Sequence, residues 1–490
     1  MPLAPTRSSS PRTSACTPSR TAPRSLRDAW VALAGLSAVF LFEMLDNSVL
    51  NVALPTIGRD LRASTTDLQW VTGAYSVVFG GLMLLFGAIA DRFGRRRTML
   101  VSLVLLGVAG LATAFVTTTS ELVAVRAVMG IAAAMTTPGS MALAFRLFES
   151  DALRVRALTV ISTAGLVGLA VGPTAGGLVL AVAPWQVLLL ANVPIAALAF
   201  VGIRAGVAPD VAADHHPAPV DVAGAVLGTA TIVLALVAPT LFVERPGSWL
   251  PWAAVAAAVL SATAFVLRER SARHPLLDLR LVALPLVSSG LAYKAAAGLA
   301  VAGLGYLATL QLQLAWGWSP AHAAVGMLPQ VVVLLAGGKL VGPFVQRAGL
   351  ERAAWLSAAA VVLGLAVFGS LSRFGYGWVV VALVLVAAGM RVVGVVAGTN
   401  VMRGLPGDRR SVGAALVDTS SELASAIGIA ATGTVLAALV TGSIAAPSWD
   451  AVQHAEFATA VTVAGLTLTA VSAALVGYGI VRSRGAAAGR

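Results

Sequence analysis

From Trp30 to the end of the chain, apolar runs of about 20 residues follow one another almost without charge, and that is the length an α-helix needs to cross the hydrocarbon core of a bilayer. Only helices and closed barrels satisfy every backbone polar group in lipid. A barrel would need short strands of alternating polarity, which are absent here. The 58% hydrophobic and 11% charged composition has no counterpart in a soluble domain, so the fold class is an all-α polytopic membrane protein. Fourteen spans are read, near 30–53, 70–90, 98–116, 122–143, 157–182, 185–203, 220–243, 249–267, 286–314, 323–345, 353–371, 378–401, 411–441 and 457–481. Residues 1–28, rich in Pro, Ser, Thr and Arg, have no apolar core and read as a disordered tail rather than a signal peptide. The single cysteine, Cys16, lies there, which leaves no intrachain disulfide.

A net charge of +12 would suggest nucleic acid in a soluble protein, but in a membrane protein its placement reports topology first. Of the 33 Lys and Arg, only Arg59, Arg62, Arg245 and Arg373 fall in one set of loops, and Arg126, Lys294, Lys339 and Arg391 fall inside spans. All the others fall in the tails and the alternate loops. The positive-inside rule makes that basic side cytoplasmic, with both termini on it, as an even number of spans requires. The near absence of lysine hints at a GC-rich bacterial genome, and the expected location is a bacterial plasma membrane.

The loop after the second span repeats after the tenth. Gly87, Asp91, Arg92, Gly94 and Arg97 correspond, at a constant offset of 255 residues, to Gly342, Gln346, Arg347, Gly349 and Arg352. Duplication explains this better than two coincidentally basic turns. The expected organisation is a cytoplasmic tail (1–28), a six-helix bundle (29–204), a linker carrying an inserted helix pair (205–282), a second six-helix bundle (283–482) and a short tail (483–490).

Two duplicated six-helix bundles resemble the major facilitator superfamily. Gly87-Ala-Ile-Ala-Asp91-Arg92-Phe-Gly94-Arg95-Arg96-Arg97 closely matches that superfamily's loop between spans two and three. Asp91 and Arg92 are expected to gate, through a charge pair across the bundle interface that forms in one conformation and breaks in the other. Arg95 and Arg96 are expected to be simple inside anchors. In the second copy Gln346 replaces the acid, so the pair does not carry over. Gly168-x-x-x-Gly172-Pro173-x-x-Gly176-Gly177 resembles the superfamily's antiporter motif on span five, where small residues let a neighbouring backbone approach and Pro173 removes one helical hydrogen bond. These glycines are expected to seal span five along the bundle interface. Leu45-Asp46-Asn-Ser-Val-Leu-Asn51-Val-Ala-Leu-Pro55, Asn192-Val-Pro194 and Pro275-Leu-Leu-Asp278-Leu are similar to the fourteen-span drug:proton antiporter family. That resemblance implies proton-driven export of drug-like or antibiotic small molecules.

Independently of any family, ionisable residues inside spans are costly and must face protein or water. They are Glu43, Asp46, Arg126, Lys294, Arg391, Asp418 and Glu422; Lys339 is left out because it can snorkel at a helix end. Glu43 with Asp46 (i,i+3) and Asp418 with Glu422 (i,i+4) each share a helix face. At a rise of about 1.5 Å per residue, Asp46 lies roughly 13 Å and Arg126 roughly 9 Å below the same membrane face, depths at which they can pair. Lys294, Arg391 and Glu422 fall near mid-span and form a second expected cluster across the cavity. Four acids against three bases leave one carboxyl without a full-time cation, which is what a proton carrier needs. Asp46 is the first choice for that carrier, with Arg126, the superfamily's span-four arginine, competing for it and with Glu43 beside it. For Glu43, Asp418 and Glu422 a structural ion pair is as good a reading as a proton or substrate role.

Trp70, Tyr75, Tyr293 and Tyr306 are aromatic residues able to line a drug cavity, Tyr293 beside Lys294 above all. Trp249, Trp252, Trp316, Trp318 and Trp378 read as an outer interfacial belt. No histidine has metal-ligand spacing to a second ligand set, and neither a metal nor a cofactor is expected. An integral-membrane enzyme would want metal or phosphate ligands on aqueous loops, which are not found. A sensor or scaffold would usually add a soluble output domain, and no loop is long enough for one. The expected partners are a small-molecule substrate, protons and the lipid bilayer, without nucleic acid, and the expected state is a monomer. Export of an endogenous metabolite is the alternative within transport.

Overall fold

The computed structural model describes residues 25–488 except 149, 211–220, 246, 274, 276, 406–409, 443 and 445–448. Residues 1–24 with Cys16, and His215, His216 and His274, lie outside the described residues. The expected tail gives way at Ser25, where Ser25 and Asp28 exchange side-chain hydrogen bonds with each other's backbone N–H and turn the chain into the first helix.

The first bundle consists of α1 (Trp30–Asp60), α2 (Thr65–Phe93), α3 (Arg95–Ala112), α4 (Thr119–Leu147), α5 (Asp151–Leu180) and the pair α6 (Gln186–Leu190) and α7 (Asn192–Gly206). The inserted pair is α8 (Val222–Glu244) and α9 (Leu250–Ser271). A short α10 (Leu279–Ala283) leads into α11 (Pro285–Leu310), which runs on through a π turn at Gln311–Ala315. Then come α12 (Pro320–Gly326), α13 (Leu328–Ala336), α14 (Gly338–Ala348), α15 (Leu350–Leu371), α16 (Tyr376–Gly404), α17 (Arg410–Leu439) and α18 (Ala451–Ala488). Twelve spans among the described residues are long and apolar enough to cross a membrane, α6 with α7 forming one of them. Two further spans are bent, α2 by 52° near Met83 and the α13–α14 pair by 69°, which gives the fourteen expected from the sequence. The terminal stretch read as a tail continues α18 as far as Ala488, and Arg482 ties that helix to Ser288 Oγ and to the Ala283 carbonyl.

The helices begin where local chemistry satisfies their first N–H groups. Ser64 with Asp67, and Thr118 with Glu121, form reciprocal capping boxes at the starts of α2 and α4, and Ser319 accepts from the His322 N–H ahead of α12. All three starts lie at the end of the molecule opposite the Asp91–Arg97 loop; we call the loop-bearing end the basic end. There, Asp221 caps α8 through Gly224 N–H and accepts a bidentate hydrogen bond from Arg268 of α9. That contact holds the Asp221 carboxyl below the usual carboxylate range.

The duplicated loop has the same backbone in both copies. Gly94 joins α2 to α3 at φ +103° and Gly349 joins α14 to α15 at φ +77°, a region that favours glycine. Gly94 is doubly constrained, because the space a Cβ would need is filled by the side chain of Asp210. Asp210 accepts from the N–H groups of Arg96 (3.3 Å) and Arg97 (3.1 Å) and thus caps α3 from the far side of the first bundle.

The inserted pair lies against the seam between the bundles. Helix α8 packs on both α2 and α17, with Thr229 donating to the Gly81 carbonyl and Gln69 of α2 donating to Thr240. Helix α9 packs on α8, and Trp249 just ahead of it and Trp252 and Leu260 within it are exposed over most of their surface, as expected of a face turned to lipid. Trp249 and Trp378 are exposed at the end opposite the basic loops, where the aromatic belt was expected.

Candidate functional site

A cavity of about 470 Å³ lies between the two bundles, and six of the seven intramembrane ionisable residues line it: Glu43, Arg126, Lys294, Arg391, Asp418 and Glu422. Its remaining wall mixes apolar side chains such as Phe40, Leu169 and Met390 with small polar ones such as Asn51, Thr72 and Gln330. An apolar cleft with a few convergent polar groups is the usual form of a small-molecule site.

The cavity is closed at the end opposite the basic loops. There Gly177 of α5 packs against the backbone of Pro320 and against Ala324, Gln313 donates to the Val52 carbonyl (2.9 Å), and the Ile444 N–H donates to Thr65 (3.3 Å). Gln69 adds hydrogen bonds to the Ala430 carbonyl and to Thr434 of α17. Toward the basic end α5 leaves the second bundle, and it has no comparable packing against α14 or α16 among the described residues. The cavity therefore faces the basic end.

The seventh ionisable residue, Asp46, is buried behind Arg126 and paired with it. One Asp46 oxygen accepts from Arg126 Nη1 and the other from Asn192 Nδ2 at 2.7 Å. Arg126 is fully buried; its Nε donates to the Val71 carbonyl (3.4 Å) and its guanidinium stacks 4.5 Å from the centre of the Tyr75 ring. The pairing anticipated from helix depth is thus present, but it engages both carboxylate oxygens of Asp46. Glu43, one turn earlier on α1, faces the cavity and accepts from Thr137 of α4 at 3.0 Å. Across the cavity Glu43 lies within electrostatic reach of Asp418 and Glu422, and both of these interact with Lys294. Among the described residues no cation forms an ion pair with Glu43.

Several expectations are corrected. Tyr293 does not line the cavity: its ring is buried against Gly479 of α18, because the 100° step between consecutive helical residues turns it away when Lys294 faces inward. Tyr75, Tyr306 and Trp70 also stand outside the lining, Tyr75 as the platform under Arg126. In this state Asp91 pairs with Arg95 (2.7 Å) across the corner at Gly94 and Arg92 lies over the Phe93 ring, which leaves the expected pair across the bundle interface, a contact of one conformation only, untested. Gly168, Gly172 and Gly176 do not pack along the bundle interface. They hold α5 to α1, against Leu41, Leu45, Ser48 and Val49, and Ser48 donates to the Gly168 carbonyl (3.3 Å). Only Gly177 reaches the other bundle. Pro173 lines the cavity, and Gly87 lies in the part of α2 beyond its bend.

Thr137 was not singled out from the sequence, although it follows Arg126 by eleven residues, three helical turns, and therefore shares its face. Asn192 stood only within a family-like triplet, without a role.

Sequence and structure comparisons agree with this architecture. The profile described as Major Facilitator Superfamily matches residues 36–429. The methyl viologen resistance protein SmvA of Salmonella typhimurium is 31% identical over 424 residues, 86% of this chain and 85% of that one. The multidrug efflux pump LfrA of Mycolicibacterium smegmatis is 30% identical, covering 88% and 85%, and the cephamycin export protein CmcT of Amycolatopsis lactamdurans is 31% identical, covering 82% and 83%. Among solved structures, a bacterial homologue of the lysosomal transporter Spinster, in an inward-facing and unoccupied conformation, superposes with a TM-score of 0.65 at 15% identity over 94% of this chain and 98% of that one.

Proposed function

The chain belongs to the Major Facilitator Superfamily, and we propose that it works there as a proton-coupled exporter of drug-like or antibiotic molecules across a bacterial plasma membrane. Its basic end and both termini would then be cytoplasmic, and the structure would be the state that receives cargo from inside. The observation that carries this reading is the cavity's surplus of carboxylates: Glu43, Asp418 and Glu422 face one another with Lys294 as the cation acting on them. With Arg126 neutralised by Asp46, three carboxylates stand against two cations, Lys294 and Arg391, and the excess carboxylate is relieved either by a proton or by a cationic cargo. Competition between the two for the same charge is the elementary requirement of antiport.

Glu43 suits the proton and Asp46 does not, which reverses the order expected from the sequence. Glu43 lines the cavity and has no cation partner, whereas Asp46 is held by Arg126 and Asn192. Cargo displaces the proton on the cytoplasmic side, the bundles rock, and the proton returns from outside as cargo leaves. For a cargo without net charge, the proton moved inward through about 100 mV contributes ~2.3 kcal/mol to each cycle, added to the pH gradient, whereas a singly charged cation exchanged for one proton moves no net charge and is driven by the pH gradient alone. Closure of the basic end would bring the Asp91 loop against the second bundle. The cavity is built within one chain, so a monomer suffices. An antibiotic, of the kind named for CmcT, fits the same mechanism, as does an endogenous metabolite.

The test is proton movement in inverted membrane vesicles from a pump-deficient bacterium expressing the chain. Adding ethidium or methyl viologen is expected to discharge an imposed acid-inside gradient, and a protonophore is expected to stop dye accumulation. Dye accumulation indifferent to the protonophore would refute proton coupling, and no accumulation across a panel of antibiotics would refute export.

A further inference from the structure

The three cations of the cavity are not equivalent. Arg126 belongs to Asp46, and Lys294 interacts with Asp418 and Glu422. Arg391 has no such partner: it makes no hydrogen bond or ion pair among the described residues, and its Nε is buried without one. It sits thirteen residues before Gly404, the end of α16, so roughly 20 Å of helix separates it from the basic end, too far for its head group to reach the membrane surface. An unpaired cation on the wall of a partly apolar cavity favours an anion that arrives with the cargo.

A second feature converges on the same wall. The Arg391 guanidinium lies against Gly338, the first residue of α14, beside the 69° break that separates α13 from α14. The break sets the N-terminus of an eleven-residue helix, which has no side-chain cap, within the membrane depth, where its positive dipole end favours an anion. Broken spans of this kind mark the binding regions of secondary transporters. The cavity carboxylates stand on other helices, Glu43 on α1 and Asp418 and Glu422 on α17, and act on one another and on Lys294 rather than on Arg391.

We propose that Arg391 and the N-terminus of α14 form a carboxylate-binding subsite, so that the preferred cargo is a zwitterionic amphiphile. Its amine faces Glu43 and Glu422, its acid faces Arg391, and its apolar body fills the space between. This specifies the cargo of the export reading and rests on it for the direction of transport, but not for binding.

Rhodamine 110, which carries a free carboxylate, and rhodamine 123, its methyl ester, isolate the acid group. Their binding to the purified chain in phosphatidylcholine nanodiscs, which carry no net anionic headgroup, is read by fluorescence anisotropy. The wild-type chain is expected to bind the acid at least as tightly as the ester, and formate is expected to compete with the acid alone. Arg391→Gln is expected to weaken the acid tenfold or more while changing the ester less than twofold, and Arg391→Lys to recover part of the loss. Equal effects of Arg391→Gln on both dyes, no effect on either, or a wild-type chain that prefers the ester and ignores formate would overturn the subsite. The formate arm needs no variant and so does not depend on Arg391→Gln folding. Binding as expected without transport in vesicles would count against export alone and leave the subsite standing.

Discussion

Asp46→Asn is expected to destabilise the folded chain by about 3–5 kcal/mol, the usual cost of removing one partner from a buried ion pair. Arg126 is fully buried, and its other contacts, the Val71 carbonyl and the Tyr75 ring, carry no formal charge to replace the lost carboxylate. Asn192, which donates to Asp46, loses a charged acceptor as well. Removing both charges is a different matter, because a neutral pair leaves no unpaired ion in the interior. Asp46→Asn/Arg126→Gln is therefore expected to regain most of the stability lost by either single change, a coupling that thermal unfolding of the four proteins in detergent measures as a double-mutant cycle. Single variants as stable as the wild type would show that the pair is not the anchor of the first bundle. It follows that lost transport in Asp46→Asn alone is not evidence that Asp46 carries the proton.

Gly177→Val is expected to arrest transport through a conformational shift rather than through unfolding. A side chain at Gly177 would run into the backbone of Pro320 and come within 2.6 Å of Ala324 Cβ, at the closed end where the bundles meet. Overpacking of that kind costs about 1–3 kcal/mol, and here the cost falls only on the state closed at that end. It would move the balance between the two open states by roughly 5- to 150-fold. Gly172→Val collides instead with Ser48 of α1, inside one bundle, and Gly168→Val with the Leu41 carbonyl, 2.6 Å from an added Cβ. Those two changes are expected to lower the melting temperature without favouring either open state. The chain has one native cysteine, Cys16, so engineered cysteine pairs at each end of the cavity, labelled for distance measurement, distinguish the two outcomes. Equal behaviour of the three variants would mean that Gly177 has no special role at the interface.

The number and order of the spans were legible because each apolar run must be long enough for the bilayer, a constraint that acts on the sequence directly. The Asp46–Arg126 pair was legible too, since a helix converts residue number into depth. Helix rotation was not. Lys294 and Tyr293 are neighbours in the chain, and no periodic signal in a uniformly apolar helix says which of them faces inward; buried faces and lipid faces use the same residues. The Asp91–Arg95 contact was not legible because Arg95 lies across a corner, in a separate helix, and reads as one more basic anchor. Asp210 was invisible for a related reason: its hydrogen bonds reach residues more than a hundred positions earlier, and the linker that carries it shows no pattern. The glycine stretch on α5 was recognised as a packing device, but its partner is α1 for three of its four glycines, a division that spacing alone does not disclose.

The division of labour between two acids one helical turn apart is the central claim: Glu43 exchanges its proton with cargo, while Asp46 holds the bundle together. The direct measurement is paired cargo and proton flux in proteoliposomes containing Glu43→Gln, with folding checked by thermal unfolding. The variant is expected to melt like the wild type and to carry cargo down the cargo's own gradient, with no accompanying proton movement and no accumulation against a gradient when a pH difference is imposed. Proton flux at the wild-type ratio to cargo in a folded Glu43→Gln protein would contradict the account and return the proton to another carboxyl of the cavity.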